Sequence, residues 1–114
     1  MTMDPLRIGL IGCGRAAERI YLPAFGRVPT ARLAAVADPS PERRELVGAV
    51  MDAPAFTSAE EMLAACDLEA VIVATPPETH VELAAAALKR SLAVLVEKPL
   101  APDMDDARRL AETA

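Results

Sequence analysis

The sequence predicts an α/β domain: a parallel sheet with helices packed against it. Two observations carry this. Short apolar runs recur along the chain, and longer segments of helical period separate them with short connections between.

The runs "LRIGLIG" (6–12), "RLAAVA" (32–37), "EAVIVAT" (69–75) and "LAVLVE" (92–97) are apolar at nearly every position rather than at every second one. Strands covered on both faces have that composition, and parallel strands are covered on both faces. Between them, helical periodicity runs over 15–27, 40–51, 58–65 and 78–90, which implies right-handed βαβ crossovers. A weaker strand is expected at "AF", 55–56. In "SAEE", Ser58 stands three residues before Glu61 ahead of "MLAAC", a capping box that starts a helix. In "APDMDDARRLAETA", Asp103 is the expected N-cap of a last helix. Asp105 and Asp106 fall where the helix dipole favours negative charge.

With 114 residues, 53% of them hydrophobic, the chain has material for one packed domain spanning 1–114. Its ten prolines and five glycines form no low-complexity tract and mark no internal boundary. The net charge of −5 comes with no cluster of lysine or arginine that could track a phosphate backbone, so nucleic acid is not an expected partner. Cys13 and Cys66 are far apart in sequence, and with a single histidine in the chain they offer neither a disulfide framework nor a zinc set. No apolar run reaches the ~20 residues of a bilayer span. "MTMDPLRIGLIG" lacks the basic region of a secretion signal. A cytoplasmic protein is expected, with no membrane and no metal.

The first strand runs into "GLIGCGRAAERI", where Gly12, Gly14 and Ala17 satisfy G-x-G-x-x-G/A between a strand and a helix, the turn of a Rossmann-type sheet. Gly12 permits the tight turn, Gly14 lets backbone approach a diphosphate, and the small Ala17 lets helix and strand pack closely. The backbone of Cys13, Gly14, Arg15 and Ala16, at the helix N-terminus, is expected to hold the phosphates. Asp38 ends the second strand 26 residues beyond Gly12, near the spacing of about 20 at which an acid takes the ribose hydroxyls. A carboxylate there repels a 2′-phosphate and favours NAD, while Arg43, five residues on, keeps NADP as an alternative. Cys13 has the position of an activated thiol, but its small size is reason enough for its place in the turn.

Several stretches together resemble one family, the Gfo/Idh/MocA oxidoreductases, in its N-terminal nucleotide domain: "GLIGCGRAAERIYLPAF" (9–25), "VADPSPERR" (36–44), "VATPPETHVELAAAAL" (73–88) and "VEKPLA" (96–101). The resemblance covers nearly the whole chain. It implies that Thr75 and Pro76 line the dinucleotide cleft and that His80, opening the next helix, holds the loop or contacts cofactor. It also implies that Glu97 and Lys98 lie beside the nicotinamide, with Lys98 reaching substrate. Chemistry supports the placement of Lys98, since open α/β sheets bind ligands beyond the carboxyl ends of their strands and an ammonium there can steady a developing alkoxide. Pro77 stands where relatives often carry asparagine, which removes one amide side chain.

The resemblance implies an oxidoreductase acting on CH–OH groups of sugars or cyclitols. The family's sixth strand and its C-terminal substrate domain have no counterpart in these residues. The chain alone is therefore expected to be inactive, either as a fragment or as a natural short protein, with its fifth strand an exposed edge through which copies associate. The competing readings are a stand-alone dinucleotide-binding regulatory module, an interaction protein with a relic glycine turn, and a methyltransferase-like nucleotide fold, against which "EKP" argues.

Overall fold

The structure is a computed structural model and describes residues 4–97 together with Arg108, Ala111 and Glu112. Five strands, β1 (Leu6–Ile11), β2 (Ala31–Ala37), β3 (Ala55–Phe56), β4 (Ala70–Val73) and β5 (Ala93–Val96), form one sheet in the order β3-β2-β1-β4-β5. Every neighbouring pair is parallel. All four expected strands and the weak one are present, and the last three residues of β1, β2 and β4 explain why their runs lack alternation. Leu10, Val36 and Ile72 pack to one face while Ile11, Ala37 and Val73 pack to the other. Both faces of the central strands are core, so every position in them must be apolar.

On the first face, Cys13, Ala17, Tyr21 and Val47 cover Leu10 and Val36. On the second, Met62 and Leu63 of α3 (Ala59–Ala65) and Ala87 of α4 (His80–Lys89) cover Val71 and Val73. Ser58 caps α3 as its sequence requires, accepting the Glu61 N–H at 3.2 Å. Ser40 does the same for α2 (Pro41–Met51), accepting the Arg43 N–H at 3.4 Å. Two of the helix ends turn through left-handed residues other than glycine, Asp52 after α2 (φ 52°) and Ser91 after α4 (φ 62°).

The helix expected over 15–27 is not uniform. A π turn occupies Ala17–Tyr21, closed by the Leu22 N–H on the Ala17 carbonyl, and α1 (Leu22–Phe25) follows. Pro23 supplies the reason: it has no N–H to return to Arg19, and a widened turn absorbs the missing bond. The helix expected over 78–90 opens with a 3₁₀ turn, Pro77–Thr79. Of the last expected helix, Arg108, Ala111 and Glu112 are helical, whereas Asp103, Asp105 and Asp106 lie outside the described residues. Among the described residues, no helix is long and apolar enough to cross a membrane and no cluster of three or more candidate ligands could hold a metal.

Candidate functional site

The strand order changes direction at β1, which has β2 on one side and β4 on the other. Open α/β sheets form their ligand crevice at such a point, beyond the carboxyl ends of the strands. Gly12 turns the chain there with φ +103°, and a Cβ on it would stand 2.7 Å from the Ala74 carbonyl oxygen. Two physical constraints thus require glycine, the left-handed backbone and the closeness of the segment after β4. Gly14 differs: nothing lies within 4 Å of where its Cβ would be, so its missing side chain leaves open space in the cleft. Ala17 is fully buried, as close packing of the helix on the sheet requires.

Asp38 follows β2 and lies across the glycine turn. Its Oδ2 accepts the Cys13 N–H at 2.7 Å and its Oδ1 accepts the Ser40 N–H at 2.8 Å. This corrects one expectation: the Cys13 amide is bonded to Asp38 and is not part of the phosphate cradle. The carboxylate reaches it because β1 and β2 are hydrogen-bonded neighbours whose ends emerge side by side. The first intrahelical bond runs from the Glu18 N–H to the Gly14 carbonyl at 3.2 Å. The preceding amides of Gly14, Arg15 and Ala16 therefore have no partner within the helix. A carboxylate has about four acceptor sites, so Asp38, with two amides bound, keeps capacity for ribose hydroxyls.

Cys13 has no exposed surface. Burial, and then the negative charge of Asp38, push its thiol up to about 12, against a smaller lowering by Arg43. It is a packed, protonated thiol at neutral pH, and the reactive reading is excluded by the chain's own desolvation.

Arg43 is turned toward the glycine turn rather than free. Its Nε donates to the Cys13 carbonyl at 2.8 Å and its Nη2 to Glu18 Oε1 at 2.5 Å. Neither Glu18 nor Arg44 is marked by any motif. Arg44 Nη1 donates to the carbonyls of Asp38 and Pro39 at 3.3 and 3.2 Å and braces the ribose loop.

Past β4, Thr79 Oγ1 donates to the Pro76 carbonyl at 2.8 Å. A hydroxyl has one proton, so the 2.6 Å contact between the Thr75 and Thr79 hydroxyls is donated by Thr75. That leaves Thr75 Oγ1 an acceptor at the cleft wall. His80 is 1% exposed, with Nε2 2.6 Å from the Thr75 carbonyl. The ring is thus buried, bonded to the loop carbonyl and off the cleft wall, which is the geometry of a loop anchor.

Glu97 follows β5, with its N–H on the Val73 carbonyl at 2.9 Å. Its Oε2 accepts the Tyr21 hydroxyl, a contact joining the first helix to the last strand that no sequence signal announced. Burial first, then the hydrogen bond to Glu97 and its charge, raise the Tyr21 phenol to about 12. Lys98 lies outside the described residues.

Gly12, Gly14, Asp38, Thr75 and Pro76 together line one cleft of about 580 Å³. Arg15, Ala16, Arg43, His80 and Glu97 are not on its wall. The sequence reading missed Thr57, Ser58, Ala59 and Leu83, which also line it. Thr57 and Ser58 follow β3, so the rule of carboxyl strand ends could have found them. Ser58 was visible only as a cap.

A family model described as "Oxidoreductase family, NAD-binding Rossmann fold" (Gfo/Idh/MocA) matches residues 6–114. The chain belongs to the Gfo/Idh/MocA family. Inositol 2-dehydrogenase 4 of Saccharopolyspora erythraea is 37% identical to this Gfo/Idh/MocA domain over 113 residues, 98% of this chain and 33% of the relative. The WlbA dehydrogenase of Bordetella pertussis, solved with NADH and UDP-GlcNAcA, superposes with a TM-score of 0.92 at 30% identity, over 96% of this chain and 33% of that one. A 3-ketoreductase from Actinomadura kijaniata, solved with NADP and TDP-benzene, gives 0.89 at 32%, over 97% and 34%. The chain spans about a third of the length of these relatives. Its residues fit the dinucleotide of the family: glycine backbone at Gly14 faces open space, and the carboxylate of Asp38 lines the same cleft at the end of β2.

Proposed function

We propose that this domain holds NAD(H) in the 580 Å³ cleft, with the diphosphate over the amides of Gly14, Arg15 and Ala16 and the adenosine ribose on Asp38. The observation that carries this is the pairing of open space at Gly14 with a carboxylate fixed by the amides of Cys13 and Ser40. Fixing the acceptor before binding removes the ordering cost that a mobile aspartate would incur. Thr75 Oγ1 offers a further acceptor, Pro76 an apolar wall, and His80 the rigidity of the loop that presents both. Arg43 acts through the glycine turn, as a positioning residue.

The whole protein to which this domain corresponds is an oxidoreductase that moves hydride between nicotinamide and a CH–OH carbon of a sugar or cyclitol, the substrate class named for the relatives. Bound nicotinamide supplies the hydride chemistry. Lys98, next after Glu97 in sequence, orients the substrate hydroxyl and steadies its developing negative charge, while Tyr21 holds Glu97 just past β5. Residues 1–114 act as one domain, in the cytoplasm, without turnover of their own. Copies associate through β5, whose Leu95 is 54% exposed.

Isothermal titration of the 114-residue chain with NAD, NADH and NADP tests the reading. Saturable binding of NAD is expected, together with loss of binding in Asp38→Ala. A chain that takes none of the three at millimolar concentration would overturn it. Turnover of a polyol by the isolated chain would contradict the proposal that these residues bind the dinucleotide without turning over substrate.

A further inference from the structure

Asp38 and Arg43 meet at one residue. The carboxylate takes the Cys13 N–H and the guanidinium takes the Cys13 carbonyl, so the two side chains flank the same turn at the ribose end of the cleft. A phosphate on the ribose 2′ oxygen would arrive beside Asp38, and Arg43 is the cation bonded to the same turn, through the Cys13 carbonyl. A guanidinium takes a phosphate best on an edge that offers two parallel N–H groups. In Arg43 one of its two paired edges, Nε with Nη2, is filled, by the Cys13 carbonyl and by Glu18 Oε1 at 2.5 Å. Glu18 also cancels the charge of Arg43 and adds its own repulsion to that of Asp38. Both partners are only about a third to two fifths exposed, 33% for Arg43 and 41% for Glu18, so bulk solvent does not fully screen the pair.

We propose that Glu18 is a specificity-determining residue, which withholds Arg43 from a 2′-phosphate and so makes the cleft discriminate against NADP(H) in favour of NAD(H). The inference rests on the dinucleotide reading above and deepens it. It assigns the discrimination to two groups, the acid at the end of β2 and an acid on the first helix that disarms the neighbouring arginine. Arg44 is the other cation near the ribose loop, held by the carbonyls of Asp38 and Pro39, and the test separates the two arginines.

The experiment measures Kd for NAD and for NADP with the wild-type chain, with Glu18→Gln, and with Glu18→Gln combined with Arg43→Gln. Glu18→Gln keeps the size and shape of a solvent-facing side chain, so the fold is retained; 5′-AMP and adenosine 2′,5′-bisphosphate give the same comparison without the nicotinamide half. The wild type is expected to bind NAD more tightly than NADP. Glu18→Gln is expected to narrow that ratio by roughly five- to tenfold, the value of one partly exposed ion pair released to a phosphate. In the Arg43→Gln background the narrowing is expected to vanish. A ratio unchanged by Glu18→Gln, or a narrowing that survives loss of Arg43, overturns the inference while leaving NAD binding intact. A wild-type chain that binds neither nucleotide overturns the dinucleotide reading and the inference with it.

Discussion

Gly12 and Gly14 stand two residues apart and have opposite reasons for being glycine, which separates folding from binding at the scale of single residues. At Gly12 a methyl group meets a left-handed φ of +103° and a carbonyl at 2.7 Å. Gly12→Ala is expected to cost about 2–4 kcal/mol in denaturant unfolding. At Gly14 a side chain meets nothing of the protein, so Gly14→Val is expected to leave the unfolding midpoint within about 0.5 kcal/mol of wild type and to weaken NAD at least tenfold in titration. Cys13 carries a pH signature. Its thiol, near 9.0 when unfolded, is raised to about 12 in the fold, so the unfolded chain loses a proton first as pH rises. The stability that the buried thiol contributes is complete below about 9 and falls as pH climbs toward 12. Tyr21, raised from 10.0 to about 12, adds to the same decline from a slightly higher pH. Equilibrium unfolding between pH 8 and 11 should show the loss, with a shallower slope in Cys13→Ala. The glycines and Asp38 were legible in the sequence because their spacing encodes a known geometry. The bond from Asp38 to the Cys13 amide was not, since a backbone N–H has no letter and its partner depends on how two strand ends lie.

Strands were easier to foresee than helix interiors. A run such as "AVIV" in β4 is apolar throughout because both faces of the sheet are covered, and composition alone reveals that. The π turn at Ala17–Tyr21 answers to the proline two residues beyond it and to packing on the sheet, and periodicity over 15–27 does not resolve it. Helix ends were legible where a side chain caps them, as at Ser58, and hidden where the backbone bends unaided. Ser91 is such a case, held at φ 62° after α4 by its place between Arg90 and Leu92, the latter bonded through its N–H to the Ala87 carbonyl at 3.1 Å. Left-handed backbone costs a serine about 1 kcal/mol that glycine avoids. Ser91→Gly is expected to raise stability by about 0.5–1 kcal/mol, read from the urea midpoint, with nucleotide affinity unchanged because α4's far end is remote from the cleft.

For the molecule as a whole, the sheet's two edges are unlike. β3 pairs with β2 through only Ala55 and Phe56, whereas β5 runs four residues, Ala93–Val96, with Leu95 largely exposed. Short edges resist recruitment and longer apolar ones invite it. Leu95→Lys is therefore expected to lower any concentration-dependent association seen by sedimentation, at little cost in unfolding free energy. The apolar, exposed edge was foreseeable from "LAVLVE" at the end of the strand series; the brevity of β3 was visible as a weak signal at 55–56.

The asymmetry also sets how far such joining can go. Two β5 strands paired across a twofold axis would run antiparallel, and among the described residues the sheet would then present its short β3 borders outward. Association built that way would stop at a pair instead of propagating into a fibre.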